Sequence, residues 1–456
     1  MAIRTYARAA RAIGLSVCLL LPVKAAAQDT STSNGGEHQH ADDPAHDRQD
    51  APDHSTMHME HGDREMMALF PMREGSGTSW LPEASPMYAI HFAAGSWRLM
   101  VHANAFVQYL RETSDGRGDD QAGSVNWLMV MARREARGAR VGIRAMVSAD
   151  SATVGGCGYP DLLASGELCD GKPISDRQHP HDLVMELAGE YERPIGRGVR
   201  WQLYGGPAGE PALGPVAFPH RISALPNLLA PIGHHWLDAT HITYGVATVG
   251  LFGTKWKAEA SVFNGREPDD RRWDFDFGAL DSYSGRVQIA PTAAWAIQVS
   301  AGHLREAEAG EIGEPRRDVS RVTASAAYHR LLAESGVWAT TIAWGRNDEQ
   351  GDRPTQFALL ETNLTLRDEH AFFGRVEIGN KTAHELNLHD LTGAFTVSRV
   401  QVGYTHYLQD RAGLTPGIGA LVSAGIVPES LRSTYGSRVN AGFGVFLTLR
   451  TAAHAM

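Results

Sequence analysis

Gln356–Arg367 reads Gln-Phe-Ala-Leu-Leu-Glu-Thr-Asn-Leu-Thr-Leu-Arg, and its second half poses the fold problem. Successive side chains of an extended chain point to opposite sides. Leu360, Leu364 and Leu366 therefore oppose Glu361, Asn363, Thr365 and Arg367. The pattern repeats outward in both directions. Within Phe372–Lys381, Val376 and Ile378 oppose Arg375 and Glu377. Within Arg399–Tyr407, Val400, Val402 and Tyr404 oppose Arg399, Gln401 and Thr405. Within Leu183–Tyr191, Leu183, Met185, Leu187 and Tyr191 oppose Val184, Glu186, Ala188 and Glu190. The polar face carries ionised groups of both signs on consecutive strands, which a dry sandwich core would not accept.

About sixteen such segments recur, near 97–110, 124–134, 139–149, 182–193, 198–207, 238–250, 254–264, 282–291, 294–304, 318–330, 336–346, 355–367, 370–380, 394–408, 414–425 and 437–450. Their connections alternate in length. Short ones include Ala136-Arg137-Gly138, Pro194–Arg197, Phe252-Gly253, Thr292-Ala293 and Asp368-Glu369. Long ones include 111–123, 150–181, 208–237, 265–281, 305–317 and 381–393. Transmembrane barrels have short turns on one side and longer loops on the other. A soluble sandwich needs neither this asymmetry nor strands longer than the usual 5–6 residues or so. The sequence thus predicts an all-β fold: a transmembrane antiparallel barrel of about sixteen strands, within a range of roughly 14 to 18. Loops 150–181 and 208–237, next but one in order, are placed to meet over its lumen.

The barrel is expected to occupy 81–450, before a short tail, 451–456. The last strand, Val439–Leu449, alternates apolar with small or polar residues and resembles the final strand of outer-membrane proteins, although Arg450 and not an aromatic follows. Residues 1–27 read as a secretory signal: Arg4, Arg8 and Arg11, an apolar run from Ala12 to Val23, and Ala25-Ala26-Ala27 before Gln28. Val17 before Cys18 argues against a lipoprotein site. Residues 28–80 read as a disordered periplasmic arm. Ten of the residues in 28–65 are Asp or Glu against two Arg, and large apolar side chains are nearly absent, too few to offset the entropy of ordering.

Export makes a disulfide the default for Cys157 and Cys169, stabilising by about 3 kcal/mol; a two-thiolate metal site is the alternative. A net charge of −10 excludes the basic face that nucleic-acid binding needs. No HExxH, Gly-x-Ser-x-Gly or nucleophile–base pair is found, so an outer-membrane enzyme has little support.

Histidine falls into two groups. Six of the 21 lie in the arm, as His38, His40, His46, His54, His58 and His61, with Met57 and Met59 among them. Imidazole with thioether suits copper(I). The second group lies in the two longest loops: Asp176, His179 and His181 in one, His234, His235, Asp238 and His241 in the other. Three or four neutral imidazoles with a carboxylate suit zinc, copper(II) or nickel, the carboxylate serving as a ligand or equally behind a histidine to fix its tautomer; a hydrogen-bond network pinning the loops is the alternative. His241 is expected on a wall strand, facing the lumen.

Signal, His/Met-rich arm and barrel, in that order, resemble the copper-resistance outer-membrane protein B family, the resemblance resting on His38, His40, His46, His54, Met57, His58, Met59 and His61. It implies copper handling at the outer membrane. The expected function is an outer-membrane channel or transport component linked to transition metals, with copper or zinc as candidate ions. Its expected partners are membrane lipid, small solutes or metal ions, and periplasmic metal-handling proteins. A general porin-like or structural barrel with an incidental linker is the alternative.

Overall fold

The computed structural model describes residues 66–308, 315–333 and 335–453. The expected signal and the arm ligands His38 to His61 lie outside them. The strands, in chain order, are β1 (Ile90–Ala94), β2 (Trp97–Glu112), β3 (Asp120–Ala136), β4 (Ala139–Val147), β5 (Tyr159–Cys169), β6 (Lys172–Gln178), β7 (Val184–Gly196), β8 (Val199–Ala208), β9 (Val246–Phe252) and β10 (Trp256–Phe263). There follow β11 (Ser282–Ile289), β12 (Trp295–Glu308), β13 (Arg317–Leu332), β14 (Gly336–Glu349), β15 (Thr355–Leu366), β16 (His370–Thr382), β17 (Ala394–Tyr407), β18 (Leu414–Ile426) and β19 (Val439–Thr451).

Among the described residues, sixteen of these strands close into one antiparallel ring. Each wall strand pairs with the next, β4 with β7 across the excursion between them, and β19 returns to β2 through Gly442↔Glu112 to Arg450↔Asn104. β1 takes the remaining edge of β2, from Ile90↔Val101 to Ala94↔Trp97. Ring closure leaves no backbone edge unpaired, as a wall in lipid requires. Each of the sixteen expected segments contains a wall strand, that of 238–250 starting only at Val246, and long and short connections alternate round the whole ring.

The two faces separate by chemistry. Val249, Leu251, Val287, Val299, Ile342, Leu360, Val376, Ile378, Val402, Val422, Val445 and Leu447 stand exposed on the outside, an apolar belt of the membrane-spanning kind. Arg286, Gln288, Arg321, Glu361, Arg375, Glu377, Arg399 and Gln401 are buried on the inside. In register, Glu361 faces Arg375, which faces Gln401, and Glu377 faces Arg399. The strict alternation fails where the register shifts, at the β12–β13, β7–β8 and β4–β7 pairings. At β7 the register shifts between Met146 and Val147, so Met185 and Glu186 both turn inward and Met185 is 2% exposed. The expected grouping of Met185 with Leu187 is thereby corrected, since a β-bulge adds one residue and flips the face.

The lumen is filled by three inserted segments. The β4–β7 connection carries the hairpin β5–β6, tied by a Cys157–Cys169 disulfide with Cα atoms 5.7 Å apart. The β8–β9 connection lies almost wholly buried, with Leu213, Trp236 and Leu237 packed against the wall. The third segment is the chain before β1. Leu69, Phe70 and Trp80 are buried there, and Arg133 of β3 binds Leu69 O and Glu74. Residues 66–80 are thus part of the packed body, which moves the expected arm boundary at residue 80 upstream. The expected tail at 451–456 likewise starts late: Thr451 ends β19, and Ala453 bridges Tyr88.

Wall arginines clamp the insertions. Arg286 Nη1 donates to Gly214 O at 3.2 Å, Arg375 Nη1 to Leu229 O at 2.9 Å, and Arg399 to Leu162 O at 3.1 Å and to the Asp161 carboxylate. Glu361 accepts from Arg221 of the insertion at 2.7 Å and from Arg375 at 3.1 Å. A guanidinium can serve several acceptors at once, so each clamp satisfies backbone carbonyls that the insertion buries without secondary structure.

Candidate functional site

The two long connections meet inside the barrel and bring His179, His181, His234, His235 and His241 together. Ring centroids lie 6.1 Å apart for His179–His234 and His179–His235, 5.4 Å for His181–His241 and His234–His235, and 5.1 Å for His234–His241. Phe218 packs against His181, His234 and His241 at 5.4–5.8 Å. His-Pro-His at 179–181 is extended, and His234-His235 opens one helical turn, His234–Leu237. His241 belongs to a second short turn, Ala239–His241. The wall strand begins only at Val246, so the expectation that His241 sits on a strand is corrected: Asp238 holds it inside the insertion. Its Nδ1 donates to Asp238 O at 2.9 Å.

One pattern runs through the group. His181 Nδ1 lies 2.8 Å from Asp150 Oδ2, His234 Nδ1 2.8 Å from Asp238 Oδ1, and His235 Nδ1 2.8 Å from Glu267 Oε1. His179 Nδ1 lies 3.3 Å from Pro180 O. Carbonyls and ionised carboxylates accept, so the Nδ1 atoms of His181, His234 and His241 carry the proton and their Nε2 atoms keep the lone pair. The Nε2 atoms of His235 and His241 are buried without a hydrogen-bond partner, and that of His179 lies 3.2 Å from Glu167 Oε1 outside hydrogen-bond geometry. Imidazoles oriented through Nδ1 with a free Nε2 are the arrangement that metal-binding histidines adopt. Burial pushes His179 and His241 well below the ordinary histidine value and lowers His234 and His235. Lowered in this way, these four rings favour the neutral state, the ligand form.

Asp238 takes the second of the two parts its spacing allowed, fixing a tautomer. Its carboxylate takes Arg221 Nη1 at 2.6 Å and Phe218 N at 2.8 Å besides His234. Burial would raise it, but Arg221 and the His234 bond hold it below the usual carboxylate range. It orients His234 and has no oxygen turned to the centre. Asp176 does not join the group: it pairs with Arg117 at 3.1 Å and accepts Leu163 N at 2.8 Å, pinning the β5–β6 hairpin. Sequence reasoning missed Asp150, Glu267 and Glu308. His235, Glu267 and Glu308 offer ligand atoms that all lie within 4.8 Å of one another. Burial, then Glu167, raises the Glu267 carboxyl. Gly166 makes room for His235: a Cβ there would fall 2.1 Å from His235 Nε2, at a φ of +111°.

No family model matches the chain, and no curated protein matches it. The copper-resistance protein B resemblance accordingly finds no support. Solved structures do match. Salmonella typhi OmpF, in complex with daunomycin, is 8% identical, with a TM-score of 0.50 over 79% of this chain and 100% of that one. The anion-selective porin of Comamonas acidovorans is 10% identical over 78% and 99%, TM-score 0.44. The channel DcaP of Acinetobacter baumannii is 8% identical over 79% and 99%, TM-score 0.43. The fold is that of the outer-membrane porins. At these identities the likeness concerns architecture, and the chemistry rests on the residues above.

Proposed function

We propose that the chain is a porin-like outer-membrane channel for small solutes, its lumen narrowed by the three insertions. The observation that carries this reading is a closed sixteen-strand wall, apolar outside and charged inside. An apolar lumen would serve a structural barrel equally well, whereas inward Arg, Glu and Gln suit a water-filled path once the insertions yield. Planar-bilayer recording of the refolded full chain tests it. Discrete conductance steps are expected, and silence across the accessible range of voltage would refute the channel.

A second reading has its own observation. The five oriented imidazoles favour transition-metal ions among the solutes, held at His179, His181, His234, His235 and His241 with Asp150, Asp238 and Glu267 behind them. The arm ligands His38 to His61, with Met57 and Met59, would add a periplasmic store. A variant carrying His234→Gln and His241→Gln should lose at least tenfold in zinc affinity by calorimetry. Equal affinity would leave the group as a hydrogen-bond network only.

A further inference from the structure

Methionine is confined to one part of this chain. Apart from Met1 and Met456, every Met lies between Met57 and Met185, and the sequence from Glu186 to Ala455 holds none. Met used only to fill gaps in a core would spread round the ring. On the wall these residues fall into register instead. His102 of β2 stands opposite Met129 of β3, and Met129 opposite Met146 of β4. In the adjoining inward row Met100 stands opposite Met131. Directly opposed side chains lie about 4.5–5.5 Å apart at Cβ, so these residues form one continuous patch.

The β8–β9 insertion sets a second imidazole over that patch. His102 Nε2 lies 3.0 Å from Met129 Sδ, and His220 Nε2 lies 3.4 Å from Met146 Sδ. The two imidazole centroids are 5.3 Å apart, and Trp127 lies 5.0 Å from each. Met129, Met131 and Met146 are buried. His102, His220 and Met129 border a cavity of about 90 Å³ that Met72, Met87 and Met100 also line. A thioether is a weak hydrogen-bond acceptor, which makes it a poor partner for a desolvated ring nitrogen. It is a good donor to a soft metal.

We propose that His102, His220, Met129 and Met146 form a lumenal site for a soft monovalent cation, copper(I) or silver(I). The donor set is two nitrogens and two sulfurs and carries no charge, which suits a singly charged soft ion. Arg144 also lines the cavity, and Glu186 offsets its charge at 3.0 Å. Phe70, Trp127 and the surrounding Met side chains give the donors a largely apolar flank, which favours thioether over aquo ligands, while Glu74 and Arg450 also line the cavity. The site shares no residue with the five-imidazole group, and its test does not depend on conductance.

The test uses the full chain in detergent micelles with ¹³C-methyl methionine, titrated with silver nitrate in chloride-free buffer. The single variants Met129→Leu and Met146→Leu assign the two signals. Both signals are expected to shift within the first equivalents of silver. The double variant should bind silver at least tenfold more weakly while its zinc affinity is unchanged. Movement confined to Met57 and Met59 in the wild-type spectrum would overturn the site, as would wild-type silver affinity in the double variant.

Discussion

His235 shows how single residues define the inner site. Its Nδ1 is held by Glu267, its Nε2 is bare, and the backbone of Gly166 lies against the ring. Gly166→Ala would impose a side chain at positive φ, costing about 1–3 kcal/mol, and would push His235 aside. Zinc affinity should fall about tenfold, equivalent to about 1.4 kcal/mol, measured by calorimetry on the refolded chain. The lowered pKa values give a second expectation. Protons compete with metal for imidazole, and burial moves that competition for His179, His234, His235 and His241 to lower pH. At pH 5.5 an unshifted histidine is about 90% protonated, whereas burial shifts these four toward the neutral form. Zinc binding by the group should therefore weaken less than tenfold between pH 7.5 and 5.5, with the His234→Gln, His241→Gln variant as the blank. Much of this site was legible: His-Pro-His and His-His-Trp-Leu-Asp stand out locally. Asp150 and Glu267 were not, because each reaches its histidine from about thirty residues away in sequence. The lumenal Met row had a signal, the lack of Met after Met185, that a reading centred on Met57 and Met59 passed over.

Strands were legible and insertions were not, for one reason. A wall strand has two chemically different faces, so its sequence must alternate. The β8–β9 insertion has no such period. Its cue lay in composition: Ala208–Leu237 holds five prolines and only two charges, Glu210 and Arg221, far too apolar for a loop in water. The β5–β6 hairpin is weaker still as a pattern. Its register shifts twice, and Leu163, Glu167 and Asp176 take positive φ. Such a hairpin needs its crosslink. Reduction of Cys157–Cys169, or replacement of both by Ser, should cost about 3 kcal/mol of local stability and raise the cleavage rate within 159–178 roughly a hundredfold under conditions where opening precedes cleavage. Limited proteolysis with and without reductant, read by mass spectrometry, checks this. Equal rates would mean that the wall alone secures the hairpin through Arg117, Lys381 and Arg399, which bind Asp176, Ser165 and Asp161.

At the scale of the molecule, the ring and its filling are stabilised differently. The ring is held by inter-strand backbone bonds in a low-dielectric medium, which are costly to break. The filling is held largely by side chains that cross from wall to insertion, with Arg375 on Leu229 O, Glu361 on Arg221, and Arg399 on Leu162 O and Asp161. Truncating a buried partner strands the opposing charge, typically at about 3–5 kcal/mol. That cost falls on whichever part can move, and the insertions can leave for water while the strands cannot. Arg375→Gln combined with Arg399→Gln should therefore release the insertions without opening the wall. The expected outcome is a larger single-channel conductance than wild type in planar bilayers. The strand signal in circular dichroism and the heat-modifiable mobility on gels should be unchanged. A variant with wild-type conductance, yet newly protease-sensitive between 209 and 245, would show that the lumen stays blocked by something other than these clamps. The chain preceding β1, anchored to Arg133 through Leu69 O and Glu74, would then be the barrier, and Arg133→Gln the next variant to open it.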